Sequence, residues 1–467
     1  MMRSMRFVWA TCLSVLVLTL FLVTYTSTQS MSVQLKFNIT PLTQQQKAKN
    51  SEKYITFLPH SGLHNQRIGL LNALLLAKSL NRTLILPEIN IGTAVWWRPN
   101  TLAEFRLSEC PQLGVEGHAN CKDFKKYVPV SVESIFDLSA AHAQGIRTIQ
   151  RSSMSQDYFK DVMGLKDPED IYRLQDNSRY SYRIYDSEDN QDDIRTFAQR
   201  VEMNDLRQLD QKVIMFGSLH YTLRVAYQDP AMIWLANHLR EEISIAHPVV
   251  IRQALSVIPL LGGPETFVGV HLRQGDGYFK ALMDETVNTL RATLEQPELT
   301  QEQIIAQQQS LEPVPFQATP LTMEDETKIA ILKSLSADNR DLLNQCVAWH
   351  SQENHPRLRL IFMATDTPQP RTTLKDLYDE FPCIFTLSDF PEVIESTLSM
   401  SPMLTGHAMV DEEMKRLDTT IASLLFPMID AEIASHGSIF IGTRKSTFSQ
   451  YINFRYNRFQ SMYHTLP

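Results

Sequence analysis

The sequence predicts an α/β fold of two doubly wound halves that face a cleft, preceded by one N-terminal transmembrane helix and a stem. Three observations predict it. A strand, loop, helix, strand pattern occupies residues 54–87, and short apolar strands return after residue 266. Such units place their strands in parallel sheets whose faces are covered by helices. The third observation is a stretch of 19 residues, 7–25, that carries no charge.

The uncharged stretch is close to the ~20 residues that cross a bilayer core. Arg3 and Arg6 precede it, and Lys36 is the next charge. The positive-inside rule therefore places residues 1–6 in the cytosol and the body in the lumen. We expect an uncleaved signal anchor rather than a cleaved signal peptide, because the apolar run exceeds an h-region of about 7–15 residues and lacks a clear A-x-A site. This layout predicts a single-pass type II protein of the Golgi or endoplasmic reticulum membrane.

The predicted N-terminal half covers residues 54–245 and follows the polar, aperiodic stem of residues 26–53. Residues 54–58 and 83–86 read as buried strands. Residues 66–80 form a helix between them whose apolar residues occupy most faces, so it should be well buried. Residues 146–210 are polar and weakly patterned, and they predict helices and insertions without definite bounds.

The predicted C-terminal half covers residues 246–467 and repeats the strand pattern. The expected strands are 266–272, 358–364, 383–387 and 438–441, with a helix near 446–456. Apolar spacing from Met414 to Met428 indicates an amphipathic helix, which Pro427 should kink or restart. Residues 283–327 are rich in Gln and Pro and predict a surface insertion.

Composition excludes several classes of protein. The chain of 467 residues is 43% hydrophobic and 21% charged, which excludes a wholly disordered chain. Its net charge of -8 and lack of a long basic run argue against a nucleic-acid partner. No GxxxxGK[ST], GxGxxG or GxSxG motif occurs. The absence of Asp-x-Asp weighs against a metal-dependent nucleotide-sugar transferase, so no metal or other cofactor is expected.

The cysteines and sequons fit a lumenal body. Cys12 lies in the apolar run, whereas Cys110, Cys121, Cys346 and Cys383 could form two disulfides in an oxidising compartment. The alternative is that the four cysteines are buried thiols. The sequence contains no CxxC motif, which argues against a metal or redox site. Proximity along the chain favours the pairs Cys110–Cys121 and Cys346–Cys383. Asn38 and Asn81 each begin an N-glycosylation sequon.

Polar loops follow predicted strands, at the ends where ligands bind in doubly wound sheets. The first loop, residues 60–67, leads into a helix whose free N–H groups favour an anion. Gly62 would allow close backbone approach. Asn65 either faces a ligand or caps the helix. Asp366 follows another strand and could accept from a purine edge or a ribose, or cap a turn.

Two further loops carry the cationic and hydroxyl candidates. His271 and Arg273 are two residues apart on one strand, so their side chains share a face. The guanidinium of Arg273 can donate two parallel hydrogen bonds, which suits a phosphate. The alternative is that Arg273 forms a structural ion pair with Asp276. The hydroxyls of Ser446 and Thr447, together with backbone amides, could hold a phosphate. The alternative is that these residues only cap the following helix.

Four segments resemble the GDP-fucose O-fucosyltransferase family, which has the GT-B fold. They are 60–87 (HSGLHNQRIGLLNALLLAKSLNRTLILP), 267–276 (FVGVHLRQGD), 362–366 (FMATD) and 440–449 (FIGTRKSTFS). The resemblance implies two Rossmann-like domains, with GDP-fucose held mainly by the second, inversion at the sugar, and no divalent metal.

The resemblance also implies roles for single residues. Arg273 should contact the diphosphate, His271 the nucleotide, and Asp366 the guanine. Ser446, Thr447 and Phe448 should line the phosphate and base pocket, and Asn65 should face the phosphate and the acceptor; Gly62 and Asp276 complete the expected donor site. Some family members have Glu or Arg where this chain has Gly62 and Leu63. The catalytic base is therefore expected to be His64 or a water relay.

Three functions remain open from the sequence. The first is a protein O-fucosyltransferase that acts on Ser or Thr hydroxyls in the secretory pathway. The second is a fucosyltransferase that builds on glycans with the same donor site. The third is a catalytically silent membrane protein that binds a nucleotide sugar. The expected partners are GDP-fucose, a protein or glycan acceptor, and the membrane.

Overall fold

A computed structural model describes most of the body of the chain. The described residues are 52–92, 94–113, 121, 127–275, 277–297, 299–309, 316–335, 339–350, 355–400 and 421–464. The predicted anchor 7–25, the stem to residue 51, Asn38, Asp276 and the predicted helix from 414 to 420 lie outside them. Within these ranges no helix is both long and apolar enough to cross a bilayer. The chain divides into two units, Met1–Glu52 and Lys53–Pro467, and the second is described below.

The strands are short and mostly buried. They are β1 (Tyr54–Phe57), β2 (Thr83–Leu86), β3 (Ile89–Gly92), β4 (Tyr127–Val130), β5 (Thr148–Gln150), β6 (Ile171–Leu174), β7 (Tyr182–Tyr185), β8 (Gln199–Glu202), β9 (Val213–Phe216), β10 (Val225–Ala226), β11 (Val268–Leu272), β12 (Ile361–Thr365), β13 (Ile384–Phe385) and β14 (Ile439–Ile441).

The helices cover these strands and connect them. They are α1 (Leu63–Leu80), α2 (Asn100–Leu113), α3 (Val132–Ile135), α4 (Ser139–Ala143), α5 (Tyr158–Asp161), α6 (Met203–Gln208), α7 (Pro230–Glu242), α8 (Pro248–Val257), α9 (Gly277–Ala281), α10 (Met283–Leu294), α11 (Gln301–Gln309), α12 (Met323–Ser334), α13 (Asn339–Ala348), α14 (Pro370–Thr373), α15 (Lys375–Glu380), α16 (Pro391–Ser399), α17 (Phe426–Ala434) and α18 (Thr447–Tyr463). Short 3-10 turns occupy Ile258–Leu261, Pro356–Leu358, Leu387–Asp389 and Ile421–Leu425.

The first sheet is fully parallel, with the strand order β5-β2-β1-β9-β6. Helix α1 packs on it and is buried along most of its length, as its apolar residues predicted. Asn81 ends α1 in the left-handed conformation, and its N–H bonds the carbonyls of Ala77 and Lys78. The predicted strand, helix, strand unit is confirmed. A separate three-stranded sheet, β10-β7-β8, and the antiparallel pair β3-β4 complete this region.

The second sheet is also parallel, with the order β13-β12-β11-β14. Helix α17 crosses it so closely that a Cβ on Gly269 would lie 2.0 Å from the carbonyl oxygen of Ala434. Only glycine permits that approach. Pro427 lies in the first turn of α17, where its missing N–H costs no helix bond. Of the two outcomes expected for Pro427, the start of a new helix is therefore confirmed.

The segment predicted to be a surface insertion differs from that expectation. Helices α10 and α11 lie within it. Leu290, Leu294 and Ile304 are buried in the same cluster as the strand residues of β11 and β12. Few apolar residues lie among many Gln residues in this segment. Their helical spacing is therefore too short a pattern to be distinguished in the sequence. The mixed α/β fold with parallel sheets is otherwise as the sequence predicts.

Two disulfides link the body, and both pairings confirm the expectation from the sequence. Cys110, near the end of α2, bonds Cys121 with a Cα–Cα distance of 5.2 Å. Cys346 of α13 bonds Cys383 beside β13 with a Cα–Cα distance of 5.8 Å. All four sulfurs lie in buried residues. The second bridge ties the helices before β12 to the edge of the second sheet.

Candidate functional site

The candidate site lies at the carboxyl edge of the second sheet, where β12, β11 and β14 end side by side. The backbone N–H of Arg273 donates to Thr443 Oγ1 at 2.9 Å, and that hydroxyl donates to the His271 carbonyl at 2.8 Å. The loop after β11 is therefore joined to the loop after β14. Parallel strands that end together in this way form the usual ligand edge of an α/β sheet.

Arg273 is held beside a carboxylate and stays partly open to solvent. Its Nη1 lies 3.2 Å from Asp366 Oδ2, and the two side chains are 32% and 30% exposed. Asp276, the partner considered from the sequence, lies outside the described residues. An ion pair with this much exposure is weak, at about 0–1 kcal/mol. An incoming diphosphate could therefore compete with Asp366 for the guanidinium.

Asp366 also holds the turn after β11. Its Oδ1 accepts the N–H of Gln274 at 2.7 Å, and its Oδ2 accepts the N–H of Gly275 at 3.0 Å. This is the turn-capping alternative that the sequence left open. Asp366 thus orders the segment that carries Arg273, and its expected contact with a guanine base stays a prediction.

His271 is enclosed and neutral. Burial, together with the charge of Arg273, lowers the pKa of its imidazole to about 3. Its Nδ1 lies 2.6 Å from Ser449 Oγ. The ring of Phe448 meets the imidazole edge-on, with centroids 4.6 Å apart. A neutral imidazole in this place acts as a hydrogen-bonding group.

The start of α18 completes the edge of the second sheet. Ser446 is buried and caps the helix, since its hydroxyl accepts the N–H of Ser449 at 3.2 Å. The cap alternative is therefore observed for Ser446. In the part of the chain that the structure describes, no hydrogen bond occupies the N–H groups of Thr447 and Phe448. Free first-turn amides at the positive end of a 17-residue helix suit an anion.

The loop after β1 reaches the same place. Gly62 precedes α1, and apart from its two chain neighbours no atom of the described residues lies within 4 Å of where its Cβ would be. Asn65 lies inside the first turn, so it is not the cap residue considered from the sequence. His64 stacks on Phe448 and Tyr451, with ring centroids 4.5 and 4.7 Å apart. The starts of α1 and α18 thus share one aromatic cluster.

The stacked position makes His64 a poor proton acceptor in the free protein. Burial, with the nearby charge of Arg67 and smaller effects of His271 and Arg273, lowers its pKa well below 6.5. A general base works best when its pKa lies near the working pH. The low pKa of His64 weighs against it as the base, and the water relay stays a prediction.

Sequence reasoning missed Thr443, Ser449 and Arg67. The two hydroxyls lie inside the 440–449 motif, in which the sequence points to Ser446, Thr447 and Phe448. Arg67 is buried, and its Nε donates to the Ile243 carbonyl at 2.7 Å. Its guanidinium lies 5.0 Å from the ring centroid of Tyr451. A polar residue at the start of an apolar helix was the only signal for it.

Within the described ranges, no three His, Cys, Asp or Glu side chains are grouped as a metal site requires. The fold and this edge together define a class of protein: α/β proteins whose polar loops meet at the carboxyl ends of parallel strands, the place where such sheets bind ligands. The family model of GDP-fucose protein O-fucosyltransferases matches residues 54–457. The chain belongs to this family and is a GDP-fucose-dependent glycosyltransferase.

Solved structures of POFUT1 are similar to this chain at a low level. POFUT1 in complex with GDP-fucose is 14% identical, with a TM-score of 0.36 over 86% of this chain and 94% of that chain. POFUT1 in complex with GDP is 14% identical, with a TM-score of 0.37 over the same shares. A likeness this distant carries no argument about the ligands of this chain. The comparison with curated proteins gave no match.

Proposed function

We propose that this chain transfers fucose from GDP-fucose to Ser or Thr hydroxyls of secretory-pathway proteins, with inversion at the sugar. The observation that carries the proposal is the meeting of Arg273, His271 and the free amides of α18 at one sheet edge in a member of this family. We further propose that the two parallel sheets are the Rossmann-like halves of a GT-B enzyme, anchored in the Golgi or endoplasmic reticulum membrane through residues 7–25.

Donor binding would begin when the diphosphate replaces Asp366 as the ion-pair partner of Arg273. The guanidinium presents parallel N–H groups that match two phosphate oxygens, so the diphosphate is a better partner than one carboxylate. Asp366 keeps the N–H groups of Gln274 and Gly275 after that exchange, and the turn therefore stays ordered. The amides of Thr447 and Phe448 would take a further phosphate oxygen.

The chemical step breaks the bond between the fucose anomeric carbon and the β-phosphate oxygen. Both electrons of that bond leave with GDP, so negative charge grows on the β-phosphate. Arg273 and the first-turn amides of α18 would stabilise it by roughly 2–4 kcal/mol for each well-placed donor. The sugar gains oxocarbenium character, and the acceptor oxygen forms the new bond from the opposite face.

The acceptor proton has to leave as the new bond forms. His64 stacks on two aromatic rings and holds a low pKa, so we propose that water takes the proton from the acceptor hydroxyl and passes it to bulk solvent. The open space in front of Gly62 supports this, because no described atom beyond its two chain neighbours lies within 4 Å of the position of an added Cβ. Asn65 follows in the same turn and would face the acceptor.

The experiment is a transfer assay on the full-length protein with GDP-fucose. Peptides, folded protein domains and free glycans are offered as acceptors, and both GDP release and fucose incorporation are measured. Transfer to peptides or folded domains supports the proposal. Transfer to glycans alone shifts the function to glycan building, and donor binding without turnover on any acceptor indicates a silent binder.

A further inference from the structure

The hydroxyl of Ser449 lies at the centre of the donor edge. Its Oγ is 2.8 Å from the backbone nitrogen of Thr443 and 2.6 Å from Nδ1 of His271. Its own backbone N–H is fixed by the cap at Ser446. Ser449 and His271 are 178 residues apart in the sequence, so this contact exists only because the ends of β11 and β14 are neighbours.

The directions of these hydrogen bonds can be assigned from donor chemistry. A backbone N–H can only donate, so Ser449 Oγ accepts from Thr443. The hydroxyl proton of Ser449 then needs an acceptor, and His271 Nδ1 is the acceptor found in the described part of the chain. The opposite assignment, with Nδ1–H donating to Ser449, would leave the hydroxyl proton without a partner in a buried place, which is costly.

The tautomer of His271 follows. The imidazole is neutral, since burial and Arg273 lower its pKa to about 3, and it therefore carries one proton on its two nitrogens. With Nδ1 accepting from Ser449, that proton is on Nε2. No described residue forms a hydrogen bond with Nε2, although His271 is only 3% exposed. The site thus holds an N–H donor for which the described residues supply no acceptor, and its nitrogen is not among the fully buried polar atoms.

The place of Ser449 is itself fixed by its neighbours. A Cβ on Gly442 would lie 2.7 Å from the Ser449 Cβ, so only glycine at position 442 leaves room for this side chain. The Thr443 hydroxyl accepts from the Arg273 N–H and donates to the His271 carbonyl. The two hydroxyls therefore hold the side chain of His271 and the backbone on either side of Leu272.

We propose that Ser449 is a positioning residue, which holds His271 as the Nε2–H tautomer and directs that N–H to an oxygen of the donor nucleotide. The identity of the ligand rests on the proposed function, whereas the tautomer does not. Phe448 packs edge-on against the ring and keeps it from turning, with centroids 4.6 Å apart. His64 and Arg273, the titratable groups that interact with His271, add no acceptor for Nε2.

The first test needs no ligand. Long-range proton–nitrogen spectra of the full-length protein, labelled with nitrogen-15 histidine, identify His271 as the signal lost in His271→Gln. We expect a protonated Nε2 and an unprotonated Nδ1 at neutral pH. In Ser449→Ala, the two nitrogens should move toward averaged values as the ring and tautomer lose their constraint. A protonated Nδ1 in the unsubstituted protein overturns the proposal, whether or not the protein transfers fucose.

The second test measures function. Ser449→Ala should weaken GDP binding by roughly 3- to 10-fold, the range expected for one hydrogen bond, and raise KM for GDP-fucose more than it lowers kcat. Ser449→Cys, with a weak S–H donor, should recover part of the loss. The matched control is Ser461→Ala on the same helix, whose hydroxyl donates to the Arg458 carbonyl. Equal GDP affinity in Ser449→Ala and Ser461→Ala refutes the positioning role.

Discussion

Replacement of Arg273 by alanine tests the central charge of the site. The guanidinium lies in a partly exposed position beside Asp366, and a phosphate at about 4 Å with an effective dielectric constant of about 20 would gain about 4 kcal/mol from it. Part of that gain already exists in the bound ground state. The share that belongs to the transition state is then roughly 2–4 kcal/mol. Its loss in Arg273→Ala should lower turnover roughly 30- to 1,000-fold.

Stability should change little in the same variant. Asp366 keeps its two backbone donors, Gln274 and Gly275, so the turn after β11 remains held. The lost ion pair is partly exposed and contributes about 0–1 kcal/mol. The midpoint of thermal unfolding should therefore stay within a few degrees of that of the unsubstituted protein.

The assay compares Arg273→Ala with Arg371→Ala. Arg371 is also 32% exposed and pairs with Asp389 at 3.0 Å, and it lies on α14 and not on the loop after β11. Fucose transfer and unfolding temperature are measured for both variants. Arg273→Ala should lose transfer and Arg371→Ala should keep it. Undiminished transfer by Arg273→Ala at normal stability would refute the assignment of the diphosphate site.

Three other predictions concern packing, covalent links and protonation. Gly442→Ala should displace Ser449, because the new Cβ would lie 2.7 Å from the Ser449 Cβ, so GDP affinity measured by calorimetry should fall; unchanged affinity would contradict the close packing. Replacing Cys346 and Cys383 together by serine should lower the free energy of unfolding by about 2–5 kcal/mol, seen in denaturant titrations, whereas an unchanged midpoint would argue against the bridge. Burial lowers the pKa of several histidines. Below about pH 6.5 each of these side chains binds a proton in the unfolded chain, but it stays unprotonated in the folded protein. These histidines are His60, His64, His220 and His271. Unfolding midpoints should therefore fall as the pH is lowered from 6.5 toward 4, and midpoints that rise over that range would show that these groups are protonated in the folded protein.

The local pattern of the sequence determined much of the fold. Alternation and apolar runs are properties of neighbouring residues, so β1, α1 and β2 were predictable, as were the strands that end at the site. Pro427 marked a helix start through its fixed backbone geometry. The disulfide pairing followed from short separations along the chain, 11 and 37 residues. The resemblance within four short segments then pointed to the loops that meet at the second sheet.

Only the tertiary structure decided which groups meet. The carboxylate that holds the turn of Gln274 comes from 92 residues further along the chain, and no local signal chooses it among the many Asp and Glu residues. The stacking of His64 on two rings of α18, and with it the low pKa, likewise follows from packing between distant segments. Secondary structure is set by contacts a few residues apart, whereas hydrogen-bond partners and burial depend on how strands and helices pack across the whole body.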